Sequence, residues 1–177
     1  MKTSLKIIGK FIDMLGNFCS LLMILMILNV FYDVIMRYFF NDVSIGMQEL
    51  EWHLFAAVFM FGIAYTLKED GHVRVDIFYD AMSKRKQAFI NIFGAIVFAL
   101  PITILICYYS IDYTLDAYTM GEGSGDPGGL PHRWIVRSII PLSSLFLMLA
   151  IVHVVLSQIQ ILSADDDSNT AKQEGEN

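Results

Sequence analysis

The sequence predicts an all-α membrane protein with four transmembrane helices, and three observations carry that prediction. Hydrophobic residues make up 55% of the 177-residue chain, above the share of about 45–50% in soluble domains. Four long runs contain no Asp, Glu, Lys or Arg. The charged residues lie between these runs, so that each run can cross the hydrocarbon layer as a helix.

The four predicted spans run over residues 14–36, 50–67, 87–111 and 136–162, with approximate bounds. A helix needs roughly 20 residues to cross a bilayer, and three of the spans reach that length. The second span is shorter. It can still cross because Lys68, just after its C-terminal end, can extend its amine to the headgroups. Trp52 can anchor the N-terminal end of the span at the other membrane surface.

The first span begins like a signal peptide, because Lys2, Lys6 and Lys10 precede an apolar run. No small-residue cleavage site follows it, so we interpret this segment as an uncleaved first helix. Asp33 and Arg37 lie four residues apart near its end. That spacing predicts an ion pair on one helix face.

The second span is preceded by an interfacial segment of mixed polar and apolar residues, NDVSIGMQELEWHLF. Ser44 is a candidate cap for the start of a helix here. Glu49 and His53 are one helical turn apart, which makes a contact between them natural.

Small residues recur at helical spacing in the second and third spans. Gly62 and Thr66 form one such stripe, and Asn91, Ala95 and Ala99 form the other. Small side chains let membrane helices approach closely. The sequence leaves open whether the two stripes face each other or another subunit.

Two further features of the spans favour packing over chemistry. Pro101 predicts a kink in the third span, and His153 is best interpreted as a hydrogen-bonding group between helices. Neither histidine in or near a span has additional ligands at helical spacing, so no metal site is predicted. Cys19 and Cys107 lie in apolar runs and are interpreted as buried, unpaired thiols.

The distribution of Lys and Arg predicts the orientation. Nine of the twelve lie on one side of a four-span path, and Arg37, Arg133 and Arg137 lie on the other. By the positive-inside rule both termini are cytoplasmic.

The acidic segment 165–177 lacks apolar periodicity, which predicts a disordered tail. The net charge of −6 and the absence of a basic block argue against a nucleic-acid partner.

Two loops carry unusual patterns. MGEGSGDPGGLPHRW, residues 120–134, holds five glycines and two prolines, which predicts a turn-rich connection that ends where a helix starts. It lacks the Gly-Lys-Ser/Thr ending of a phosphate-binding loop. GHVRVD, residues 71–76, alternates valines with His72, Arg74 and Asp76. An extended segment would bury the valines on one side and hydrogen-bond on the other.

QELEWHLFAAVFMFGIAYTLKEDGHVRVD followed by GDPGGLPHRW resembles the small membrane subunit of tripartite ATP-independent periplasmic (TRAP) transporters. The DPGGLPHRW stretch is similar to a subgroup labelled for mannitol or chloroaromatic compounds. The resemblance covers roughly residues 29–153. The residues that it marks as interface or structural positions are Glu49, Glu51, Trp52, His53, Gly62, His72, Arg74, Asp76, Gly128, Gly129 and Arg133.

The resemblance implies a multi-pass protein of a bacterial or archaeal inner membrane that is not an enzyme. It implies two protein partners, a large permease subunit and a periplasmic substrate-binding protein, besides the membrane lipids. The small subunit would be a scaffold without a cofactor, and the large subunit would carry sodium and an organic acid. Two alternatives remain on the residues alone: an autonomous homo-oligomeric transporter or channel, and a membrane anchor of a redox enzyme.

Overall fold

A computed structural model describes residues 2–71, 79 and 81–174, with side chains for 3–71, 79 and 81–163. Its elements are α1 (Lys2–Phe39), α2 (Ile45–Lys68), α3 (Lys84–Gly94), a π-helical segment (Ala95–Ala99), α4 (Leu100–Thr119) and α5 (Trp134–Glu174). Within the described residues, four helical stretches are long and apolar enough to cross a membrane: Thr3–Phe39, Ile45–Lys68, Lys84–Thr119 and Trp134–Ser163. The predicted all-α, four-span architecture is confirmed.

The helices are longer than the charge-free runs that predicted them. α1 begins at Lys2 and α2 at Ile45, because a helix does not end where its sequence becomes polar and can continue past the hydrocarbon layer. The segment assigned to the interface forms the first turns of α2. The predicted cap is present, since the backbone N–H of Met47 donates to Ser44 Oγ at 3.4 Å.

α5 is the central helix, with contacts to α1, α2, α3 and α4. A core cluster forms where α1, α2 and α5 meet, and Ala64 and Ala150 in it are fully buried. Their small side chains let the helices approach closely. Phe146 of α5 fills the adjoining space, with ring centroids 5.6 Å from Phe11 and 5.7 Å from Phe61.

The third span is irregular at the proline that predicted a kink. Pro101 has no N–H to donate, and its ring would collide with the carbonyl group four residues earlier in a regular α-helix. A π-helical turn occupies Ala95–Ala99, directly before this position. The wider turn relieves the conflict, as π-bulges do elsewhere. A second proline, Pro141, lies inside α5.

The bundle has two ends that differ in content. The loop end holds the α1–α2 connection and residues 120–133. The N-terminal end holds the start of α1 and the end of α2, where Lys68 Nζ bonds to the carboxylate of Asp13. The cytoplasmic location of the N-terminal end and the disorder of residues 165–177 in solution stay predictions; the α5 backbone is helical as far as Glu174.

Candidate functional site

The carboxylate of Glu49 fastens α2 to the glycine-rich loop at the loop end. The Ser124 hydroxyl donates to Glu49 Oε1, and the backbone N–H of Leu130 donates to Oε2 at 2.6 Å. Glu49 is only 9% exposed, so these bonds lie largely out of contact with water. Hydrogen bonds to an ionised acceptor are about twice as strong as neutral ones, and this pair fixes the loop at two points.

A glycine makes that contact possible. A Cβ on Gly129 would lie 2.5 Å from Ser124 Cβ and 2.9 Å from Glu49 Oε2. Neither distance is tolerated between real atoms, and both neighbours are already held by hydrogen bonds. Gly129 is therefore required by close approach.

The loop itself is ordered by backbone hydrogen bonds. The N–H of Gly129 donates to Asp126 O at 3.0 Å, and Gly128 has a φ of +84°. Asp-Pro-Gly-Gly thus forms a turn with proline second and a left-handed glycine third, the pattern of a type II turn. The two limbs of the loop also pair, because Ser124 N–H donates to Leu130 O at 3.0 Å.

Arg137 links the loop to the end of α4. Its Nη2 donates to Glu122 Oε1 at 2.6 Å, and its Nη1 donates to the backbone oxygen of Tyr113 at 3.3 Å. The guanidinium carbon lies 4.0 Å from the centre of the Tyr113 ring, a cation–π distance. The Arg133 side chain is farther from Glu122, at 3.9 Å.

One polar contact joins α1 to α2 at the same end. Asn29 Nδ2 donates to the backbone oxygen of Met47 at 3.0 Å, which ties α1 to the first turn of α2. One turn further along, Asp33 forms the predicted i,i+4 ion pair with Arg37 within α1. Buried or half-buried side chains, those of Asn29, Glu49 and Arg137, therefore make the described contacts between elements at this end.

The two stripes of small residues line separate open grooves. Gly62 and Thr66 lie in a groove of about 900 Å³ between α1 and α2, and Asn91, Ala95 and Ala99 lie in a groove of about 460 Å³ beside α5. The stripes do not face each other, which settles one of the alternatives that the sequence left open. A Cβ on Gly62 would meet no heavy atom within 4 Å.

Over the described residues, no group of three or more His, Cys, Asp or Glu side chains could hold a metal ion. Cys19 and Cys107 are both free and buried. At the loop end, polar contacts join α1 to α2, α2 to the glycine-rich loop, and α4 to α5.

The comparisons with known proteins agree on one family. The family model described as "Tripartite ATP-independent periplasmic transporters, DctQ component" matches residues 26–161. The chain belongs to this family. A protein of Haemophilus influenzae that carries a provisional name as a TRAP transporter small permease protein is 27% identical over 113 residues, which cover 63% of this chain and 68% of that one.

Membership of the family makes this chain a component of a TRAP transporter, not an enzyme, and a multi-pass protein of the inner membrane. A tripartite system implies a large permease partner and a substrate-binding protein. The redox-anchor alternative is thereby excluded.

The residues marked by the resemblance fall in different places in this small permease subunit. Glu49, Gly128 and Gly129 come together with the backbone of Arg133, whose N–H donates to Glu122 O at 2.9 Å. Gly62 lies apart in its groove.

The other marked residues of α2 form no polar network. Trp52 is 42% exposed, and its ring lies 4.1 Å from that of His53. Nε2 of His53 is buried without a hydrogen-bond partner among the described residues. His53 interacts electrostatically with Glu49 but forms no hydrogen bond with it; the carboxylate oxygens accept from Ser124 and Leu130. Glu51 has no hydrogen bond or ion pair within the described chain.

His72, Arg74 and Asp76 lie outside the described residues, so the role of GHVRVD stays a prediction. Loss of Arg74 or Asp76 is expected to weaken the assembled transporter more than loss of Lys84. The sequence did not predict Ser124 as a hydrogen-bond partner of Glu49. It also did not predict the contacts of Arg137, which was used only in the Lys and Arg distribution that gave the orientation. Glu122 lies 15 residues before Arg137, and no local spacing rule relates residues that far apart.

Proposed function

We propose that this subunit is a static brace for the large permease subunit of a TRAP transporter. In this proposal the large subunit carries an organic acid anion together with sodium, and a periplasmic binding protein delivers the substrate. Any sodium site lies on the large subunit. The small subunit supplies a rigid surface in the membrane against which the large subunit moves.

The observation that carries the proposal is the use of polar side chains within the spans. Buried hydroxyl groups donate to carbonyl oxygens of their own helix: Thr103 to Ala99 at 2.7 Å, Ser110 to Cys107 at 3.0 Å, Ser143 to Ile140 at 2.9 Å and Ser144 to Ile140 at 2.8 Å. Such bonds satisfy the hydroxyl locally and form no chain across the membrane. These four hydroxyls therefore do not mark a solute pathway, which is usually lined by polar or ionisable groups facing a shared cavity.

A second support is the surface of the third span. Only 6% of the residues in the apolar stretch of the third span are buried within this chain. The corresponding share in the fourth span is 22%. The third span rests on α5 alone for most of its contacts. Its broad apolar face suits packing against another membrane protein.

Reconstitution tests the brace against an autonomous transporter. The small subunit, the large subunit and the binding protein are placed in liposomes with an inward sodium gradient, and uptake of a labelled organic acid is measured. We expect uptake with all three components and none with the small subunit alone. Uptake by the small subunit alone would contradict the proposal.

The static role has its own test. A disulfide cross-link from the small subunit to the large subunit is introduced at the interface and uptake is measured before and after reduction. If the small subunit is a fixed brace, at least one cross-linked pair keeps uptake at the reduced level. Loss of uptake in every cross-linked pair, restored by reduction, would indicate that the small subunit moves.

A further inference from the structure

An open pocket of about 540 Å³ lies at the N-terminal end, between the first turns of α1 and residues 153–160 of α5. Its volume is in the range of small-molecule sites, about 300–1,000 Å³. Lys6 and Lys10 lie on the α1 side, and His153 and Gln160 lie on the α5 side. A Cβ on Gly9 would lie 3.2 Å from His153 Nε2, so the glycine leaves room beside that nitrogen.

The polar groups of α5 in this pocket are unused. Neither the His153 nor the Gln160 side chain makes a hydrogen bond with the described residues, and His153 Nδ1 and Gln160 Nε2 are shielded from water as well. Buried polar atoms in proteins normally have a partner. Both residues line the pocket, so a rotation of either side chain can present an unfilled hydrogen-bonding group to a ligand there.

The unpaired charges in the pocket are both positive. Lys6 and Lys10 lie one turn apart and exposed on α1, and neither forms an ion pair with the described residues. One carboxylate, Asp13, also lines the pocket; it bonds to Lys68, which also lies 3.2 Å from Glu69. Three cations against two carboxylates leave a net charge of +1, and the free charges favour an anion.

The pocket opens beside apolar side chains that face outward. Met14, one turn beyond Lys10 on α1, is 62% exposed, and Leu149, one turn before His153 on α5, is 40% exposed. A ligand for this place combines an anionic head with apolar chains. Basic pockets between helices near the membrane surface take the headgroups of anionic lipids.

We propose that this pocket binds the phosphate of an anionic phospholipid. Lys6 and Lys10 pair with the phosphate, and His153 and the Gln160 amide supply hydrogen bonds from the other side. The terminal torsion of a glutamine is broadly distributed, so the amide can turn toward the phosphate. The acyl chains extend from there toward the middle of the bilayer, past Met14 and Leu149.

Native mass spectrometry of the full chain tests this. The protein is delipidated in mild detergent and mixed with phosphatidylglycerol, phosphatidylcholine or inorganic phosphate. The pocket variant Lys6→Gln/Lys10→Gln is compared with Lys84→Gln/Lys86→Gln, which removes the same charge from exposed positions outside the pocket. We expect the pocket variant to retain roughly 30-fold less phosphatidylglycerol than the control, since two lysines near a membrane surface contribute about 1 kcal/mol each.

Gln160→Leu gives an independent arm. Because the amide bonds to nothing in the described chain, the lipid-free variant should unfold at the same temperature as the parent or a higher one, while its phosphatidylglycerol binding falls. Equal losses in the two lysine variants, unchanged binding in Gln160→Leu, or equal binding of phosphatidylcholine would overturn the proposal. Equal occupancy by inorganic phosphate would also overturn it, since the site would then take a free anion.

Discussion

The two ends of the bundle use polar residues in opposite ways. At the loop end, Glu49 and Arg137 have their polar atoms matched by groups of this chain. At the N-terminal end, His153, Gln160 and two lysines have no partner within the described residues. The loop-end network joins groups of this chain and serves stability, although Asn29 Oδ1 and His53 Nε2 beside it have no partner among the described residues. At the N-terminal end the unpaired groups line a pocket together with two lysines, which points to something outside the chain.

The largest expected effect concerns which end faces outward, because labelling is all or none. In a background without Cys19 and Cys107, a cysteine at Gly125 should react with an impermeant reagent added outside, and one at Ser83 should not. Both positions are exposed. Gly125 is preferable to Ser124, whose hydroxyl is bonded to Glu49. Reaction at Ser83 alone would reverse the assigned topology.

The next largest effect should come from Glu49→Ala. The change leaves the Ser124 hydroxyl and the Leu130 N–H without an acceptor in a site with little water, so the apparent Tm in detergent should fall by roughly 8 °C. Glu51→Ala is the matched control on the same helix and should have little effect. Equal Tm values for the two variants would show that the loop end is not held by this carboxylate.

Gly129→Ala probes the same contact through sterics. The added methyl group would collide with Ser124 and Glu49, and overpacking of this kind costs about 1–3 kcal/mol. Gly125→Ala is the control, since a Cβ there meets nothing within 4 Å. Thermal unfolding of the two variants side by side measures the difference. A Gly129 variant as stable as the Gly125 variant would mean that the loop relaxes freely.

The smallest effect on the subunit itself is expected for Gly62→Leu. Its Tm should change by no more than about 1 °C, because the groove around Gly62 is open. Co-purified large subunit should fall roughly tenfold if a helix of that subunit occupies the groove, since overpacking costs about 1–3 kcal/mol. Gly94→Leu makes the same change at the groove of the third span, whose exposed face is the other candidate for this contact. A drop for Gly94→Leu alone would assign the contact to the third span instead.

Features that depend on neighbouring residues were predictable. The spans followed from long charge-free runs, the Ser44 cap from a serine before an apolar helix, and the Asp33–Arg37 pair from i,i+4 spacing. Each rests on geometry within one helix, which the chain's local sequence determines. The family resemblance likewise came from residues that lie together in the sequence.

The contacts that define the loop end could not be predicted in this way. Glu49 bonds to groups 75 and 81 residues away in sequence. Helical spacing instead indicated His53, one turn away, as its partner. The separation of the two small-residue stripes was equally hidden, because it depends on which face α5 presents to each neighbour. The sequence by itself determined how many helices cross the membrane and where each is capped or paired within itself. The tertiary structure decided which helix is central, which polar groups are satisfied and which are left open, because helix packing and loop closure join residues that no local spacing relates.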